Sequence, residues 1–357
     1  MSDKVVVAMS GGVDSSAAAM LLVEQGFDVH GLFMRTGVTG AERTCCSAED
    51  AGDARAVASL LGIKFHVLNF ERDFQGLIVR FLDEYRNGRT PNPCILCNAF
   101  LKFGRLVRFA DALGASFIAT GHYARCERRE GRLRLMRGLD PDKDQSYVLF
   151  ALSQEQLSRA LFPLGGLTKE EVRRLAAGRG LPVSAKRESQ DICFVPSGDY
   201  RELLRRSALP LSPGKIVDSQ GNVLGEHEGI ELFTVGQRRW LGRAFGEPRY
   251  VIAVRPATRE VVIGPLEELY ARRLRTAAVN WVSKGPAPEP FRAHVQIRHR
   301  HRPAEAAVAV DESGRALVTF DEPQRAITPG QAAVFYEADE VAAGGWIDEA
   351  LDGPQCT

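Results

Sequence analysis

At 357 residues the chain exceeds the size of an average single domain, so two or three units are expected. Hydrophobic residues at 45% and charged residues at 25% exclude a disordered or membrane-embedded chain, because both values are those of ordinary globular proteins. A formal net charge of +1 excludes a global field that would draw in nucleic acid, leaving only local clusters to do so.

Lys4 to Ser10 reads as a buried parallel strand, since Val5, Val6 and Val7 run without polar interruption into a glycine turn. Ser15 to Gly26 reads as a helix closed by Gly26, and Asp28 to Met34 as a second strand. Ser47, with Asp50 three residues on, resembles a capping box, and Ala51, Ala54, Val57, Ala58 and Leu61 follow at helical spacing. Lys64 to Phe70 is a third strand. Phe74, Leu77, Ile78, Phe81 and Leu82 make an amphipathic helix, Leu101 to Leu113 another, and Ser116 to Thr120 a fourth strand. This alternation predicts an α/β fold with a doubly wound, mostly parallel sheet. Ligands in such sheets sit beyond the carboxyl ends of the strands, so residues after Met9, after Phe33 and around Gly121 are expected to line one site.

From about Ser153 two short helices are expected, then an irregular stretch from Lys186 to Gly198. After Leu211, Gly and Pro turns separate short β-type runs: Tyr250 to Val254, Val261 to Gly264, Phe291 to Ile297, Ala316 to Phe320 and Ala332 to Tyr336. They predict a β-rich attachment, read as a small barrel. Met1 to Met9 holds one short apolar run with neither the h-region nor the cleavage site of a signal peptide, and no span is long enough to cross a bilayer. Both point to the cytoplasm and to no membrane partner.

Arginine is dense at Arg125 to Arg137, Arg238 to Arg243, Arg272 to Arg275 and Arg298 to Arg302. Such clusters can pair with phosphates, although any one taken alone reads as a solvated face.

Ser10-Gly11-Gly12-Val13-Asp14-Ser15-Ser16 lies between the first strand and the first helix, where backbone amides and the helix dipole favour an anion. Gly11 and Gly12 let the backbone approach phosphate. Ser10, Ser15 and Ser16 add hydroxyl donors, and Asp14 can hold the magnesium that accompanies a nucleotide. No Gly-Lys-Ser/Thr ending is present, so this is not a Walker A loop. The pattern is similar to the pyrophosphate-binding loop of the ATP pyrophosphatases, which split ATP between its α and β phosphates. A serine-capped glycine turn is the bland alternative, and the strand before and helix after it weigh against that.

The seven cysteines are Cys45, Cys46, Cys94, Cys97, Cys126, Cys193 and Cys356. Their odd number and irregular spacing, in a chain large enough to fold without staples, argue against a disulfide framework. Thr90-Pro91-Asn92-Pro93-Cys94-Ile95-Leu96-Cys97-Asn98 sets a C-x-x-C just before a helix, a position that lowers thiol pKa values. Cys193 lies in Glu188-Ser189-Gln190-Asp191-Ile192-Cys193-Phe194. A lone C-x-x-C is either a redox pair or half of a zinc site, and no second C-x-x-C or paired histidines complete an obvious zinc site. Cys45 and Cys46 are adjacent and awkward as chelators, while Cys126 and Cys356 read as ordinary thiols.

Five segments taken in order resemble the tRNA-specific 2-thiouridylases: Ser10 to Ser16, Thr90 to Asn98, Ala119-Thr120-Gly121-His122-Tyr123-Ala124-Arg125, Lys143-Asp144-Gln145-Ser146-Tyr147, and Ser189 to Phe194. Gln296-Ile297-Arg298-His299-Arg300 is a weaker sixth match. The resemblance implies an ATP-binding catalytic domain over residues 1–198, a small central domain over 199–272 and a β-barrel over 273–357. It implies thiolation of position 2 of the wobble uridine in glutamate, glutamine and lysine tRNAs, with release of AMP and pyrophosphate. Ala8, Met9, Ser10, Gly11, Gly12, Val13, Asp14, Ser15, Ser16, Met34 and Gly121 would hold ATP, and magnesium would accompany it. Asn92, Pro93 and Cys94 would face the target base, and His122, Lys143, Asp144, Gln145, Arg298, His299 and Gln331 would touch tRNA. Lys143 is also a candidate to steady charge on the phosphates. The implied sulfur donor is a cysteine desulfurase, a sulfur-relay protein or hydrosulfide.

In the better-known members of that family an aspartate stands at the position of Cys94 as acid/base catalyst, and a persulfide on the cysteine matching Cys193 delivers sulfur with help from the one matching Cys97. Here the aspartate is missing. Cys94, Cys97 and Cys193 could instead hold a 4Fe-4S cluster with one iron open to hydrosulfide, and both routes stay open. Two rivals also remain. One is another ATP pyrophosphatase, such as a tRNA lysidine synthetase or a carboxylate-adenylating synthetase, which leaves the three cysteines unexplained. The other is a non-catalytic RNA-binding iron-sulfur protein, which leaves the intact loop unexplained.

Overall fold

The protein is described by a computed structural model over residues 2–37, 47–187, 192–195, 198–207, 210–239, 241 and 246–352. In β1 (Lys4–Ala8) the valines at 5, 6 and 7 are all fully buried. Successive strand side chains point to opposite faces, so both faces of this sheet are covered, and each buried valine contributes roughly 2 kcal/mol. After β1 come α1 (Val13–Glu24), β2 (Asp28–Arg35), α2 (Ala48–Leu60), β3 (Lys64–Asn69), α3 (Glu71–Arg86) and α4 (Pro93–Leu96). A π-helix (Cys97–Arg105) leads into α5 (Leu106–Ala112) and β4 (Phe117–Ala119). A hairpin of β5 (Ala124–Arg129) and β6 (Arg132–Arg137), then α6 (Gln154–Ser158), β7 (Ala160–Leu161) and α7 (Lys169–Gly178), complete this part.

The chain divides into two compact units. The first comprises Met1–Ile78, Pro93–Gly198 and Asp339–Val341; the second comprises Val79–Asn92, Asp199–Ala338 and Ala342–Thr357. In the first unit five parallel strands lie in the order β3-β2-β1-β4-β7, with Val5 paired to Val29 on one side and to Phe117 on the other. Ala17 and Ala18 give α1 a small-residue face that packs in one cluster with Tyr123, Leu164 and Val172 of α7. The capping box expected at the start of α2 is formed, Ser47 Oγ accepting from Asp50 N at 3.0 Å.

In the second unit, α8 (Tyr200–Arg206) is followed by β8 (Gly214–Val217), β9 (Val223–His227), β10 (Tyr250–Arg255) and β11 (Glu260–Gly264). These four strands form a sheet in the order β10-β11-β8-β9 over Val217, Ile252, Val262 and Leu269. Then come β12 (Tyr270–Ala278), β13 (Asn280–Trp281), β14 (Phe291–Gln296), β15 (Ala304–Val310), β16 (Arg315–Arg325), β17 (Ala332–Glu337) and β18 (Glu340–Ala350). Six of them run in the order β12-β16-β15-β14-β17-β18, and pairing of Leu274 with Ala350 closes the barrel. Alternate residues Ala316, Val318 and Phe320 point inward, as a barrel strand requires.

The expected α/β class, parallel sheet and C-terminal barrel are thus present. One departure concerns the stretch expected as a single helix from Leu101 to Leu113, which begins earlier and carries the π-helix. The arginine-dense run after Ala124 is a hairpin turning at Glu130 and Gly131, both with positive φ, the backbone of a two-residue turn. Cys45, Cys46, Cys356, residues 188–191, Trp240 and residues 242–245 lie outside the described residues. Among the described residues no helix is long and apolar enough to cross a membrane.

Candidate active site

Where β1 ends, Met9 N donates to Leu32 O at 2.8 Å, so the chain stays tethered to β2 until the loop begins. Gly11 has φ +73°, and a Cβ there would come within 2.3 Å of Asp50 O. Both facts require glycine. Gly12 caps α1 and has no side chain to bond the first-turn amides, which are left able to take an anion. Ser15 and Ser16 hydroxyls donate to Gly12 O at 3.2 and 2.9 Å, and Ser10 N donates to Ser15 Oγ at 3.1 Å. In this structure those serines stiffen the loop and the amides remain its anion-facing donors.

Asp14, the second residue of α1, is gripped by Lys169 of α7 and by Tyr123, just before β5. Lys169 Nζ donates to Oδ1 at 2.7 Å and to Oδ2 at 2.8 Å, and Tyr123 Oη donates to Oδ1 at 2.8 Å. Tyr123 is held in turn by Gln145, whose Oε1 accepts from Tyr123 N at 3.0 Å and whose N donates to Tyr123 O at 2.9 Å. Gly121, just past β4, lies so close that a Cβ would meet Asp14 C and Ser15 N at 2.7 Å. The residues after Met9 and around Gly121 therefore converge, as the strand order predicts. The lysine placed beside the loop is Lys169, which the sequence reading did not single out. Its signal was the Thr168-Lys169-Glu170-Glu171 capping box, which sets Lys169 at the first position of α7.

These residues fit a magnesium-bound polyphosphate. The glycine cradle has no room for a side chain at Gly11, the first-turn amides are uncapped, and one carboxylate stands beside one ammonium. Magnesium is ordinarily held by one or two carboxylates together with the substrate's own phosphates, so Asp14 suffices as its protein ligand.

Pro93, buried at the first position of α4, starts the turn that carries the cysteines. Cys94 is exposed, and Cys97 is half-buried at the start of the π-helix. Two side chains pin that helix. Asn98 Nδ2 donates to Val148 O at 3.1 Å, and Gln156 Nε2 donates to Ala99 O at 2.7 Å and Phe103 O at 3.0 Å. Cys193 is half-buried beside Phe194, whose ring meets Phe74 edge-on at 5.7 Å. Upstream, Arg173 donates to Ser184 O at 2.9 Å, and Lys186 Nζ donates to Asp50 Oδ1 at 2.7 Å. Among the described residues no three His, Cys, Asp or Glu side chains stand close enough to hold a metal. Cys94, Cys97 and Cys193 are therefore not gathered as metal ligands in this structure.

The residues expected to touch tRNA fall in both units. His122 is buried, with Nδ1 2.7 Å from Thr120 Oγ1, and burial holds its pKa well below the ordinary histidine value. Asp144 is turned inward: its carboxylate accepts from Arg137 Nη1 at 2.8 Å, Gly138 N at 3.0 Å and Ser146 N and Oγ at 3.0 Å. Lys143 is half-buried. In the second unit Gln331 Nε2 donates to Thr90 O at 2.8 Å, and Arg298 Nη1 donates to Arg325 O at 3.0 Å. With Thr234, Gly236 and Thr328 they line an open cavity of about 270 Å³. His299 O accepts from Gln296 Nε2 at 2.8 Å.

Loop, parallel sheet and barrel define the class, an α/β protein with a phosphate-type loop to which β-rich parts are joined. Family models match it in three stretches: a tRNA methyl transferase HUP domain over residues 3–197, a tRNA methyl transferase PRC-barrel domain over 203–265 and an aminomethyltransferase beta-barrel domain over 271–347. The tRNA-specific 2-thiouridylase MnmA of Geotalea uraniireducens is 51% identical over 361 residues, covering 98% of this chain and 96% of that one. The enzyme of the same name from Geobacter metallireducens is 52% identical over 360 residues, covering 98% and 97%. That of Magnetococcus marinus is 49% identical over 352 residues, covering 96% and 98%. The chain belongs to the tRNA-specific 2-thiouridylase family.

Proposed function

We propose that this protein is an ATP-dependent tRNA sulfurtransferase that converts the wobble uridine to 2-thiouridine. The observation that carries the reading is the presence, in one compact unit, of an anion-ready loop after β1 together with Cys94, Cys97 and Cys193. Near-full-length identity to 2-thiouridylases supports it.

The 2-carbonyl of uracil is a poor electrophile with no leaving group. Its oxygen attacks the α-phosphorus of ATP, the bond to the β-phosphate oxygen breaks, and the electron pair departs with pyrophosphate. The first-turn amides of α1 face the charge that gathers there. Asp14 and the phosphates would hold magnesium, which would supply further neutralisation of that charge. Sulfur then adds at the activated carbon and AMP leaves with the former carbonyl oxygen. In the persulfide route the terminal sulfur on Cys193 is the nucleophile. The Cys97 thiolate attacks Cys193 Sγ and displaces the terminal sulfur, which stays on the base with the electron pair of the broken S–S bond, while a Cys97–Cys193 disulfide forms.

Glutamate, glutamine and lysine tRNAs are the proposed substrates, a cysteine desulfurase, relay protein or hydrosulfide the sulfur source, and the cytoplasm the compartment. Ala8 to Ser16, Met34 and Gly121 form the proposed ATP site; Asn92 to Cys94 the base contact; His122, Lys143 to Gln145, Arg298, His299 and Gln331 the tRNA contacts. For His122 and Asp144 that role requires a change from the inward placement described above. The proposed division is a catalytic part over 1–198, a central part over 199–272 and a barrel over 273–357. An iron-sulfur route is the second reading, favoured only by Cys94 standing in the family's aspartate position. No step is derived through it.

The test is reconstitution with ATP, magnesium, unmodified glutamate tRNA and each sulfur source, scored by nucleoside mass spectrometry. Replacement of one oxygen by sulfur at the wobble uridine is expected. No sulfur gain with any donor would reject the reading, and ATP–pyrophosphate exchange without RNA would favour a carboxylate-activating synthetase. Iron and labile-sulfide analysis after anaerobic purification decides the route: an iron-free protein fully active with a persulfide donor removes the cluster.

A further inference from the structure

We infer that Lys169 changes partners during adenylation, neutralising Asp14 before nucleotide arrives and moving onto the departing pyrophosphate once magnesium takes the carboxylate. The inference rests on the ATP-pyrophosphatase reading above and assigns a catalytic residue within it.

Lys169 is 8% exposed, and a buried ammonium is costly unless paired. Its pairing is with both oxygens of Asp14, at 2.7 and 2.8 Å, while Tyr123 Oη occupies Oδ1 as well. A carboxylate so occupied is a poor ligand for a hard cation, which takes its oxygens at short range. The arriving nucleotide resolves the conflict, because it brings magnesium, which needs a carboxylate, and phosphate oxygens, which need a cation.

The frame around Lys169 permits that exchange. Its backbone is fixed at the start of α7, where Lys169 N donates to Asp140 Oδ2 at 2.9 Å and Thr168 closes the capping box. α7 is packed on α1 through Val172, Ala17 and Ala18. Only the four-carbon stem is left to move. Asp14 follows Gly12 by two residues, so an ammonium already touching its carboxylate needs only a short swing to reach a phosphate seated on the loop amides. There its ammonium meets the negative charge released when the bond between the α-phosphorus and the bridging oxygen breaks.

The alternative is a fixed prop that only orients Asp14. The two are separated by measuring Mn²⁺ alone, by electron paramagnetic resonance, and Mn²⁺ with the non-cleavable α,β-methylene analogue of ATP, by calorimetry. Lys169→Met is expected to bind Mn²⁺ alone several-fold more tightly, since Asp14 loses its competitor. The same variant is expected to bind the Mn²⁺–analogue pair about 10-fold more weakly, since the phosphates lose a charge-assisted bond. Lys169→Arg restores analogue binding. At saturating ATP and tRNA, single-turnover pyrophosphate release by Lys169→Met falls about 100-fold, a kcat effect beyond the change in KM. Opposite signs in the two binding measurements support partner exchange. Shifts of the same sign, or none, overturn it, and a misfolded variant is recognised by loss of Mn²⁺ binding together with a lowered melting temperature, in which case Lys169→Arg and Asp14→Asn decide by the same two measurements. Neither binding assay needs tRNA or sulfur, so Lys169 is judged apart from thiolation. A wild-type protein that binds no analogue rejects both the inference and the nucleotide reading.

Discussion

Lys186 Nζ lies 2.7 Å from Asp50 Oδ1, and the same ammonium reaches Asp53 one turn along α2. Asp50 also closes the capping box with Ser47, and its carbonyl stands where a Cβ on Gly11 would collide. Lys186 is in this way tied through α2 to the phosphate loop. Burial alone would depress the Lys186 pKa, but the bonds to Asp50 and Asp53 raise it overall. Lys186→Met leaves two carboxylates facing one another without a cation. A loss of about 1 kcal/mol is expected, larger at low salt than at high. Thermal melts at the two ionic strengths check this, and a salt-independent loss would contradict the electrostatic account.

Gly11 and Gly12 are expected to respond differently to the same added methyl. Gly11→Ala meets both a positive φ and the Asp50 carbonyl, so a cost of about 2 kcal/mol or more is expected in urea unfolding. Gly12 has an ordinary extended φ of −97°, and its Cβ would find nothing nearer than Ser10 Oγ at 3.6 Å. Gly12→Ala should stay within about 0.5 kcal/mol of wild type in stability. It should nonetheless lose about 10-fold in nucleotide affinity if phosphate lies against that backbone. Unchanged affinity in Gly12→Ala would move the phosphate elsewhere.

Cys97→Ser and Cys193→Ser are each expected to abolish thiolation while sparing tRNA binding, measured by nucleoside mass and by gel shift. Both side chains are half-buried and neither closes a core, so stability should change by less than about 1 kcal/mol. Activity retained in either variant would remove that thiol from the sulfur route.

Four histidines have their pKa lowered by the fold. Burial lowers the pKa of His30 and His227 and pushes that of His122 well down, and burial followed by the Arg298 charge brings His301 to about 4. The unfolded chain takes up protons near 6.5, where these sites in the folded chain do not. Stability is therefore complete above about pH 6.5 and is lost as pH falls toward 4. The melting temperature should decline across that window. His301→Gln, whose amide can still donate to Gln324 Oε1, should make the decline shallower. A flat profile in wild type would show that these sites titrate in the folded chain much as they do when unfolded.

Local chemistry made the first unit legible in the sequence. Three valines before a glycine turn gave β1, and Ser47 with Asp50 gave the start of α2, because each depends on neighbours within a few residues. Lys169 could not be read the same way, since its role comes from contact with Asp14 across 155 positions of chain. The π-helix escaped for a similar reason: Gln156, 53 residues from Phe103, satisfies its carbonyls from outside. Asp144 shows the converse. A family likeness marks it for RNA, while the folded chain spends its oxygens on Arg137, Gly138 and Ser146, a use invisible until β6 and the following turn are in place.

The widened turn that opens at Cys97 also governs which changes of length this protein can survive. Loss of one residue between Asn98 and Gly104 would let the ladder rewind as ordinary α-helix, because a π turn holds one residue more than an α turn, and the segments on either side of the gap would roughly keep their mutual orientation. Cys97 would keep its side of the helix, while the carbonyls of Ala99 and Phe103 would turn to helix amides and leave Gln156 without them. A single-codon deletion in this short window should therefore be borne better than one in α1 or α3, which hold no surplus residue to give up.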